Sequence, residues 1–583
     1  MLYRRKTLAE FEAEQVTINK EHESDDTRLT LFDLLCIGIG GTVGSGVFVL
    51  TGSVFPVAGP SSAVCWMVGG LVCLLSASSY MELSVRVPTR GSTYSYSYYA
   101  LGELAAVAGA TSLTLEYGLS GAGVARSWSS KFASLIGART ALFASYSGGT
   151  PNSGSQDNYL DVGAALVQAS CVVVVAGGLS LSKRVINLMT ISKVMLVLFL
   201  IVAGFAGTRR NVFASPSTFF PDGAGGVTKG TSLLFFGFIG FDEVCCMAAR
   251  CRRPKYAMPR AIIGTLLGAA ALSTLAQLAL SGLVDDDDDD DDGTSFEREF
   301  RLKGWKWAKY ITQIGEVVLL PLVVLLSFLP QPELMAALGS DGLVSSRFSR
   351  LSGRNNDVYM FGCVACGIAL TTVSLVVPFD VLWNMINLGV LLGFNLSNCS
   401  LISARLGNGG ACVDPKAAMT LARFAGLYAP AAAYVLWKGC LLSVVEGHGL
   451  RGPLNLSALV VGLALFGAGF VALASIAATL RGNLNKSSRV SSSRDGTLSD
   501  AVDAPLEDDA FRAPGVPWVP GAAVFLNFLL MAQYAWIDHA YLLALYGAAY
   551  LAYFSAKRSS KSKGNTLDDP LLLTTTTTTT TED

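Results

Sequence analysis

The most unusual chemical feature of the sequence is a run of glycines inside its first apolar segment. Five glycines fall between Gly38 and Gly46, and each costs a helix interior about 1 kcal/mol relative to alanine. A helix interrupted near Ser45 and Gly46 would direct free backbone N–H groups and a positive dipole end at an anion, such as a carboxylate. Close helix packing on the Gly40-xxx-Gly44 pattern is the alternative, and the glycines alone favour neither.

The sixth apolar segment contains a similar interruption. Residues 235–242 include Gly237, Gly240 and four phenylalanines. If this helix also breaks, its exposed carbonyl groups can accept hydrogen bonds from an ammonium group. Two breaks placed five segments apart are typical of an inverted repeat with a binding site near the centre of a bilayer.

Two ionisable residues within apolar segments are further candidates for function. Lys193 lies in the fifth segment, where a charge costs at least about 2.5–3.5 kcal/mol on insertion scales. The alternative is a lysine that reaches the inner surface near Lys183 and Arg184. Glu116 lies midway along the third segment. It either contacts a substrate or is a structural carboxylate paired with Lys193 or a backbone group.

The composition indicates what kind of protein must position these residues. Of the 583 residues, 51% are hydrophobic and 15% are charged, with a net charge of −1 and a mean hydropathy of +0.47. Soluble proteins have about 25% charged residues, and many apolar runs here reach the roughly 20 residues that a transmembrane helix needs. Cys363 and Cys366 form a CxxC inside an apolar segment, where buried packing is expected, and the histidines lack a partner nucleophile. We therefore expect an integral membrane protein, and no metal, cofactor, nucleic-acid partner or enzymatic activity.

Fourteen apolar segments are predicted to cross the membrane. Basic residues are concentrated in alternate loops, which predicts an N-terminus on the inside, and an even number of spans returns the C-terminus to the same side. The segments lie near residues 33–55, 62–84, 101–124, 160–182, 186–207, 229–249, 260–284, 309–335, 358–377, 382–405, 418–438, 454–480, 517–535 and 539–555.

Polar stretches separate or flank these segments. Residues 1–29 are predicted to be a cytosolic tail without a signal peptide, because they are charged throughout. The acidic run Asp285–Asp292 repels itself and is expected to be a solvated outer linker, with cation gathering as the alternative. Residues 481–513 are expected to be a flexible cytosolic loop, and residues 557–583 a disordered cytosolic tail. Asn455 falls in a predicted outer loop, where glycosylation is permitted.

Several short motifs occur along the chain in a characteristic order. They are Arg4-Arg5-Lys6-Thr7-Leu8, the first-segment stretch 38–48, Leu115-Glu116-Tyr117, Ala125-Arg126-Ser127-Trp128-Ser129, Phe328-Leu329-Pro330-Gln331-Pro332 and Val516-Pro517-Trp518-Val519-Pro520. As a set, they resemble the motifs of the cationic amino acid transporter family of the amino acid–polyamine–organocation (APC) superfamily. The resemblance covers residues 30–406 and 510–555.

This resemblance implies a fold, an architecture and a set of site residues. The fold is an all-α, five-plus-five inverted-repeat transport core over residues 30–406, operating by alternating access. Four additional helices follow, in pairs over residues 407–480 and 514–556. The residues implied around the substrate are Thr42, Ser45 and Gly46 for its carboxylate, Phe236, Gly237 and Ile239 for its amine, and Phe238 and Phe241 as a lining or gate.

The ionisable candidates also acquire roles from the resemblance. It implies that Lys193 occupies the place of a sodium ion and can couple transport to protons, and that Glu116 favours a cationic side chain. The eighth segment reads Pro321-Leu322-Val323 where relatives that bind sodium have small hydroxyl residues, which argues against sodium. Glu316 replaces a small apolar residue and is a possible additional acid for the site.

Two further departures from the family pattern lie at the predicted inner face. Glu333 replaces the usual arginine after Pro332, and Ala249-Arg250 replaces a pair of acids. These departures leave the inner gate and the substrate specificity open.

The predicted function is sodium-independent transport of cationic amino acids such as arginine, lysine or ornithine. At about 100 mV, inside negative, one positive charge gains about 2.3 kcal/mol on entering, enough for about fifty-fold accumulation. The alternatives are a carrier of neutral amino acids or polyamines and a non-transporting amino-acid sensor. Asp568, Leu572 and Leu573 fit a sorting signal for an adaptor, which favours a vacuolar or lysosomal membrane over the plasma membrane.

Overall fold

A computed structural model describes most of the chain as helix. The described residues are 4–7, 9–11, 28–89, 91–137, 144–146, 159–177, 183–208, 211–284, 294–351, 358–407, 414–441, 453–491 and 511–562. The acidic run Asp285–Asp292 and the predicted sorting residues Asp568, Leu572 and Leu573 lie outside them.

Twelve helices make up the first half of the described chain. They are α1 (Leu31–Ser45), α2 (Thr51–Ala58), α3 (Ser62–Arg86), α4 (Ser92–Ala100), α5 (Glu103–Leu113), α6 (Ser120–Leu135), α7 (Val162–Ala176), α8 (Lys183–Ala206), α9 (Pro216–Phe219), α10 (Gly223–Leu233), α11 (Phe241–Cys246) and α12 (Pro254–Leu283). An antiparallel pair, β1 (Ala144–Tyr146) and β2 (Tyr159–Asp161), precedes α7. The described chain is mostly helical, and this short pair of strands departs from the all-α expectation at the start of the predicted segment 160–182.

Ten helices follow in the second half. They are α13 (Phe296–Leu302), α14 (Lys306–Phe328), α15 (Pro330–Ser340), α16 (Met360–Val376), α17 (Phe379–Leu406), α18 (Pro415–Arg423), α19 (Ala429–Leu436), α20 (Pro453–Ser491), α21 (Trp518–Met531) and α22 (Trp536–Ser562). Helix α20 includes the start of the predicted loop 481–513. It also places the backbone of Asn455 in its first turn instead of a loop.

The first apolar segment begins at a clear capping signal and is distorted at its glycines. Thr30 caps α1, because its backbone N–H donates to the Asp33 carboxylate over 2.9 Å and its hydroxyl accepts from the Asp33 N–H over 3.3 Å. The chain then passes from α1 through a π-helical turn, Gly46–Leu50, into α2. The Gly46 N–H donates to the carbonyls of Thr42 and Val43. The predicted break with free N–H groups is therefore wrong in this conformation, since the wider turn keeps that amide paired.

The sixth apolar segment does break, as its glycines predict. Helix α10 ends in a 3₁₀ turn, Leu234–Phe238, after which Ile239 is extended and Gly240 has φ of +139°. A side chain is strained at such a φ, so Gly240 permits the chain to turn before it enters α11.

Six helical stretches of the described chain are long and apolar enough to cross a bilayer. A seventh span results if α21 and α22, which meet at a bend of 117°, are counted as one. Helix length and composition therefore do not establish the predicted count of fourteen, because several predicted segments consist of shorter pieces. Segment 101–124 is divided by a second π-helical turn, Thr114–Leu119, and segment 229–249 by the break before α11.

The core forms where the distorted segments cross the long helices. Helix α12 packs against α1, α3 and α8, while α14 packs against α6. The large side chains buried in this core include Trp66, Tyr80, Tyr117, Phe236 and Phe241. The two irregular segments thus lie inside the protein, where helices surround them on all sides.

Candidate functional site

The two irregular segments face each other at their glycines. A Cβ atom on Gly46 would lie 3.1 Å from the Gly237 carbonyl oxygen and 3.2 Å from the Trp66 ring. Gly240 has the same relationship to α1, since a Cβ there would lie 2.4 Å from the Thr42 hydroxyl and 2.7 Å from the Gly38 carbonyl oxygen. These glycines allow two backbones to approach closely, so the structure brings the predicted carboxylate and amine segments together.

Side chains from α17 satisfy the backbone groups that the break leaves without helical partners. The Phe236 N–H donates to Asn387 Oδ1 over 2.6 Å, and Trp383 Nε1 donates to the Leu233 carbonyl over 2.8 Å. The Phe236 carbonyl accepts from the Ile239 N–H over 3.3 Å, which leaves a second acceptor position on that oxygen. Asn387 was missed by the sequence analysis, because it is one of four asparagines in the segment 382–405 and nothing in the sequence distinguishes it from the others.

The aromatic residues of the break lie in two different environments. Phe238 packs edge-on against Trp66, with ring centroids 5.3 Å apart. Phe241 instead contacts Tyr80 and Phe394, at centroid distances of 5.6 Å and 5.3 Å. Phe241 is therefore part of an aromatic cluster with α3 and α17.

Glu116 lies in the second π-helical turn, Thr114–Leu119, with no exposed surface. Among the described residues, no basic side chain pairs with it, and the group within hydrogen-bonding reach is another acid, Asp242. π-Helical turns in α-helices occur frequently at functional sites. A buried carboxylate without a cationic partner is costly, so Glu116 is a strong candidate for contact with a bound cation.

A second buried acid, Asp242, lies within electrostatic range of Glu116. Its carboxylate accepts a hydrogen bond from the Tyr117 hydroxyl over 2.6 Å and another from the Gly240 N–H over 3.1 Å. The sequence analysis did not select Asp242 or Tyr117, although an acid two residues after Gly240 in an apolar segment was visible. Asp242 ties the break of the sixth segment to the π-helical turn of the third.

Lys193 is completely buried, so it does not reach the inner surface. Its ammonium group donates to the Gly40 carbonyl over 2.9 Å, and a Cβ on Gly44 would lie 3.4 Å from it. The same hypothetical Cβ would lie 2.4 Å from Val323 on α14. The ammonium group thus occupies the space between α1 and α14. Its acidic neighbour is not Glu116 but Glu243, which lies within electrostatic range.

Glu316 is buried and forms an ion pair with Lys131. Its carboxylate lies 2.8 Å from the Lys131 ammonium group, which links α14 to α6. Only 4% of the Glu316 side chain is exposed. The ion pair gives Glu316 a structural partner, so the Lys131 ammonium group accounts for its negative charge without a contact to the substrate.

Ser45 belongs to the last turn of α1, directly before Gly46. The Thr42 hydroxyl donates to the Gly38 carbonyl of the same helix, and Gly240 of the sixth segment packs against both of these residues. The site thus combines two irregular segments, a pair of buried acids and one buried ammonium group.

The family model described as amino acid permease matches residues 29–466. The chain belongs to the amino acid permease family. This permease is an integral membrane protein, and its family is one of transporters and not of enzymes.

Individual relatives of the permease differ in the substrates that their names state. It is 31% identical over 392 residues to "Cationic amino acid transporter 3, mitochondrial" of Arabidopsis thaliana, covering 66% of this chain and 63% of the relative. It is 33% identical over 385 residues to "Cationic amino acid transporter 2, vacuolar" of the same plant, covering 65% and 59%. A "Branched-chain amino acid permease" of Bacillus subtilis is 29% identical over 412 residues, covering 69% and 85%. The matches therefore span about three fifths of the length of the two plant relatives.

Proposed function

We propose that this permease carries cationic L-amino acids across a membrane by alternating access. The observation that carries the proposal is Glu116, a fully buried carboxyl group that faces a second acid, Asp242, and has no basic partner in the described part of the chain. A buried charge is stabilised by an opposite charge that is also hydrogen-bonded. The guanidinium group of arginine or the ammonium group of lysine or ornithine meets both requirements.

The proposed pose places the amino acid between the two irregular segments. The substrate carboxylate takes over backbone N–H groups near Thr42, Ser45 and Gly46 as the π-helical turn changes its pairing. Its amine binds the carbonyls of Phe236, Gly237 and Ile239, and Phe238 and Phe241 line the site. The close approach of Gly46 to Gly237 supports this pose, because both ends of a small zwitterion are then within reach.

The proposed coupling is independent of sodium. The Lys193 ammonium group already supplies a positive charge between α1 and α14, and Pro321-Leu322-Val323 offers no hydroxyl ligand. Loss and recovery of a proton by Lys193 would link neutral substrates to a proton gradient.

The proposed architecture is a five-plus-five inverted repeat over residues 30–406, followed by four helices, for fourteen spans. The two irregular segments, α1–α2 and α10–α11, support it because two irregular helices five segments apart are what an inverted repeat requires. The polar loop, the tails and a sorting adaptor at Asp568, Leu572 and Leu573 remain proposals from sequence, as does a vacuolar, lysosomal or plasma membrane location.

Transport of neutral amino acids is the second candidate function. It is favoured by the similarity to a branched-chain permease, because that match covers 85% of the relative. Glu116 would then remain without a cation from the substrate, and the acid would have to be protonated during transport.

Uptake into proteoliposomes distinguishes these functions. The purified full chain is reconstituted, an inside-negative potassium diffusion potential is imposed, and labelled arginine, leucine and alanine are supplied separately. We expect the potential to accelerate arginine uptake, and we expect unlabelled lysine and ornithine to inhibit that uptake competitively. Faster uptake of leucine than of arginine would establish the neutral carrier, and saturable binding without uptake would establish a sensor.

A further inference from the structure

The C-terminal helices α21 and α22 contact the transport core at two places beside the candidate site. Helix α21 lies against α3, α10 and α17, whereas α22 lies against α5 and α17. Both helices lie outside the ten-helix repeat that the site itself requires. Their polar contacts therefore need an explanation of their own.

The first contact is a row of tyrosines on one face of α22. Tyr546, Tyr550 and Tyr553 are spaced as neighbours on a helix surface, and all three hydroxyl groups reach α5. The Tyr546 hydroxyl lies 2.5 Å from the Ser112 hydroxyl. Tyr550 donates to the Leu104 carbonyl over 3.0 Å, and Tyr553 donates to Glu103 Oε1 over 2.7 Å.

The Tyr546 end of this row lies close to Glu116. Ser112 is one helical turn before Glu116, and α5 ends at Leu113, where the π-helical turn begins. A Cβ on Gly393 of α17 would lie 3.3 Å from the Ser112 Cβ and 3.9 Å from Glu116 Oε2. Tyr546 thus holds the last regular turn before the buried acid.

The second contact lies at the corresponding position of the sixth segment. The Tyr534 hydroxyl donates to the Ser232 carbonyl over 2.9 Å, and the Ser232 hydroxyl donates to the Leu530 carbonyl over 3.0 Å. Ser232 is fully within the core and is one helical turn before Phe236. The C-terminal pair therefore binds the third and sixth segments immediately before each loses regular helical geometry.

We propose that α21 and α22 form a strut that fixes the π-helical turn of Glu116 relative to the break at Phe236, with Tyr546 and Tyr534 as positioning residues for the substrate site. Irregular turns keep fewer regular hydrogen bonds than an α-helix, so their geometry depends on external contacts. Water is absent from the bilayer core and cannot replace a lost partner there. The effect of the strut on substrate selectivity rests on the proposed function. Its effect on the geometry of the two turns does not depend on that function.

The first experiment compares two single hydroxyl deletions on the same helix in proteoliposomes. Tyr546→Phe removes the bond to Ser112, and Tyr550→Phe is the matched control because it removes a bond to the α5 backbone farther from Glu116. We expect Tyr546→Phe to raise the KM for arginine by about three- to tenfold, with an unchanged maximal rate and an unchanged KM for alanine. Tyr550→Phe should leave the ratio of the two KM values unchanged.

A double variant tests whether Tyr546 acts through Glu116. In the Glu116→Gln background, the added Tyr546→Phe change should no longer alter the arginine-to-alanine ratio. Equal changes in Tyr546→Phe and Tyr550→Phe, or an undiminished effect in the double variant, would show a general packing role and overturn the proposal. If Tyr546→Phe does not fold, Ser112→Ala removes the same bond from the other partner.

Amide hydrogen exchange of the full chain tests the strut without any substrate. Tyr546→Phe should accelerate exchange in residues 112–119, and Tyr534→Phe in residues 232–240, while Tyr550→Phe changes neither. If wild type transports no amino acid but these segment-specific changes occur, the proposed function fails and the strut stands. Unchanged exchange in both segments would refute the strut even in an active transporter.

Discussion

Arg250 and Glu333 form an ion pair, with Arg250 Nη2 2.7 Å from Glu333 Oε1. The pair connects the end of the sixth segment to the first turn of α15. Arg250 is anchored on its own side, because its backbone carbonyl accepts a hydrogen bond from the Leu29 N–H over 2.9 Å, directly before α1. Each residue has the charge opposite to the one that the resemblance implies at its position, and the ion pair brings the two departures together.

The first prediction is that reversing both charges preserves transport whereas reversing one does not. Arg250→Glu or Glu333→Arg alone places like charges opposite each other, and each single variant should lower the rate of arginine uptake by about two- to fivefold. The double variant should recover most of the loss. The effect is modest because 37% and 24% of the two side chains are exposed. Initial uptake rates in proteoliposomes provide the measurement.

A control for this prediction is the neighbouring pair Lys6 and Asp341, whose charged atoms lie 2.8 Å apart. Lys6→Met removes this second ion pair. Added to the variants of Arg250 and Glu333, it should leave the recovery of uptake by the double charge reversal unchanged. Independent, additive losses in the two single variants and the double variant would mean that the ion pair is irrelevant to transport.

The second prediction concerns the closeness of the two irregular segments. Gly46→Val should abolish uptake while the protein still inserts, because a Cβ there lies only 3.1 Å from the Gly237 carbonyl oxygen and the valine methyl groups extend farther. Gly467→Val is the matched control, since a Cβ at that helical glycine meets no atom within 4 Å. Substrate-dependent thermal stabilisation of the purified variants measures binding. Normal arginine affinity in Gly46→Val would show that the substrate does not bind at this position.

Much of this site can be predicted from residues that are unusual inside an apolar helix, such as glycine. Gly237 and Gly240 predict the break of the sixth segment, because the backbone at Gly240 adopts a φ of +139° that other residues avoid. The π-helical turn of the first segment could not be predicted from the sequence, because a π-helical turn and a true helix break both favour glycine. Only the surrounding helices decide that the Gly46 amide stays paired.

Pairings between distant residues were beyond the sequence analysis for a different reason. The Tyr117–Asp242 bond joins residues 125 positions apart, and the Glu316–Lys131 pair joins two separate helices. Each residue is identifiable alone as a polar group in an apolar segment. Its partner depends on the rotation of two helices about their axes, which hydrophobic patterns leave undetermined when helices are apolar on every side.

The third prediction is that Glu116 determines selectivity for cationic substrates. Glu116→Gln keeps the shape of the side chain and removes its charge, so arginine should lose about ten- to a hundredfold in apparent affinity. Alanine and leucine should change little, because they have no cation for this carboxylate. Competition by unlabelled arginine, lysine, alanine and leucine against one labelled substrate supplies the comparison. An equal loss for all four would assign Glu116 a structural role.

Glu316→Gln is the companion variant to Glu116→Gln, because both remove one buried carboxylate charge. Glu316 is paired with Lys131, and breaking one partner of a buried pair costs about 3–5 kcal/mol of stability. We expect a lower melting temperature with an unchanged order of substrates. A selective loss of arginine transport in Glu316→Gln would place that acid in the substrate pathway.

The last prediction concerns the driving ion. The Lys193 ammonium group donates to the Gly40 carbonyl over 2.9 Å and lies beside Gly44 and Val323, so a positive charge already joins α1 to α14. We therefore expect uptake to be unchanged when choline replaces sodium. If Lys193 releases its proton during the cycle, uptake of alanine should depend on pH, and Lys193→Ala should flatten that dependence. Lys193→Arg separates coupling from structure, because arginine retains a positive charge but stays protonated. A pH profile in Lys193→Arg identical to that of wild type, at a lower rate, would indicate a purely structural lysine. A strict requirement for sodium in wild type would contradict the assignment of Lys193 to this role.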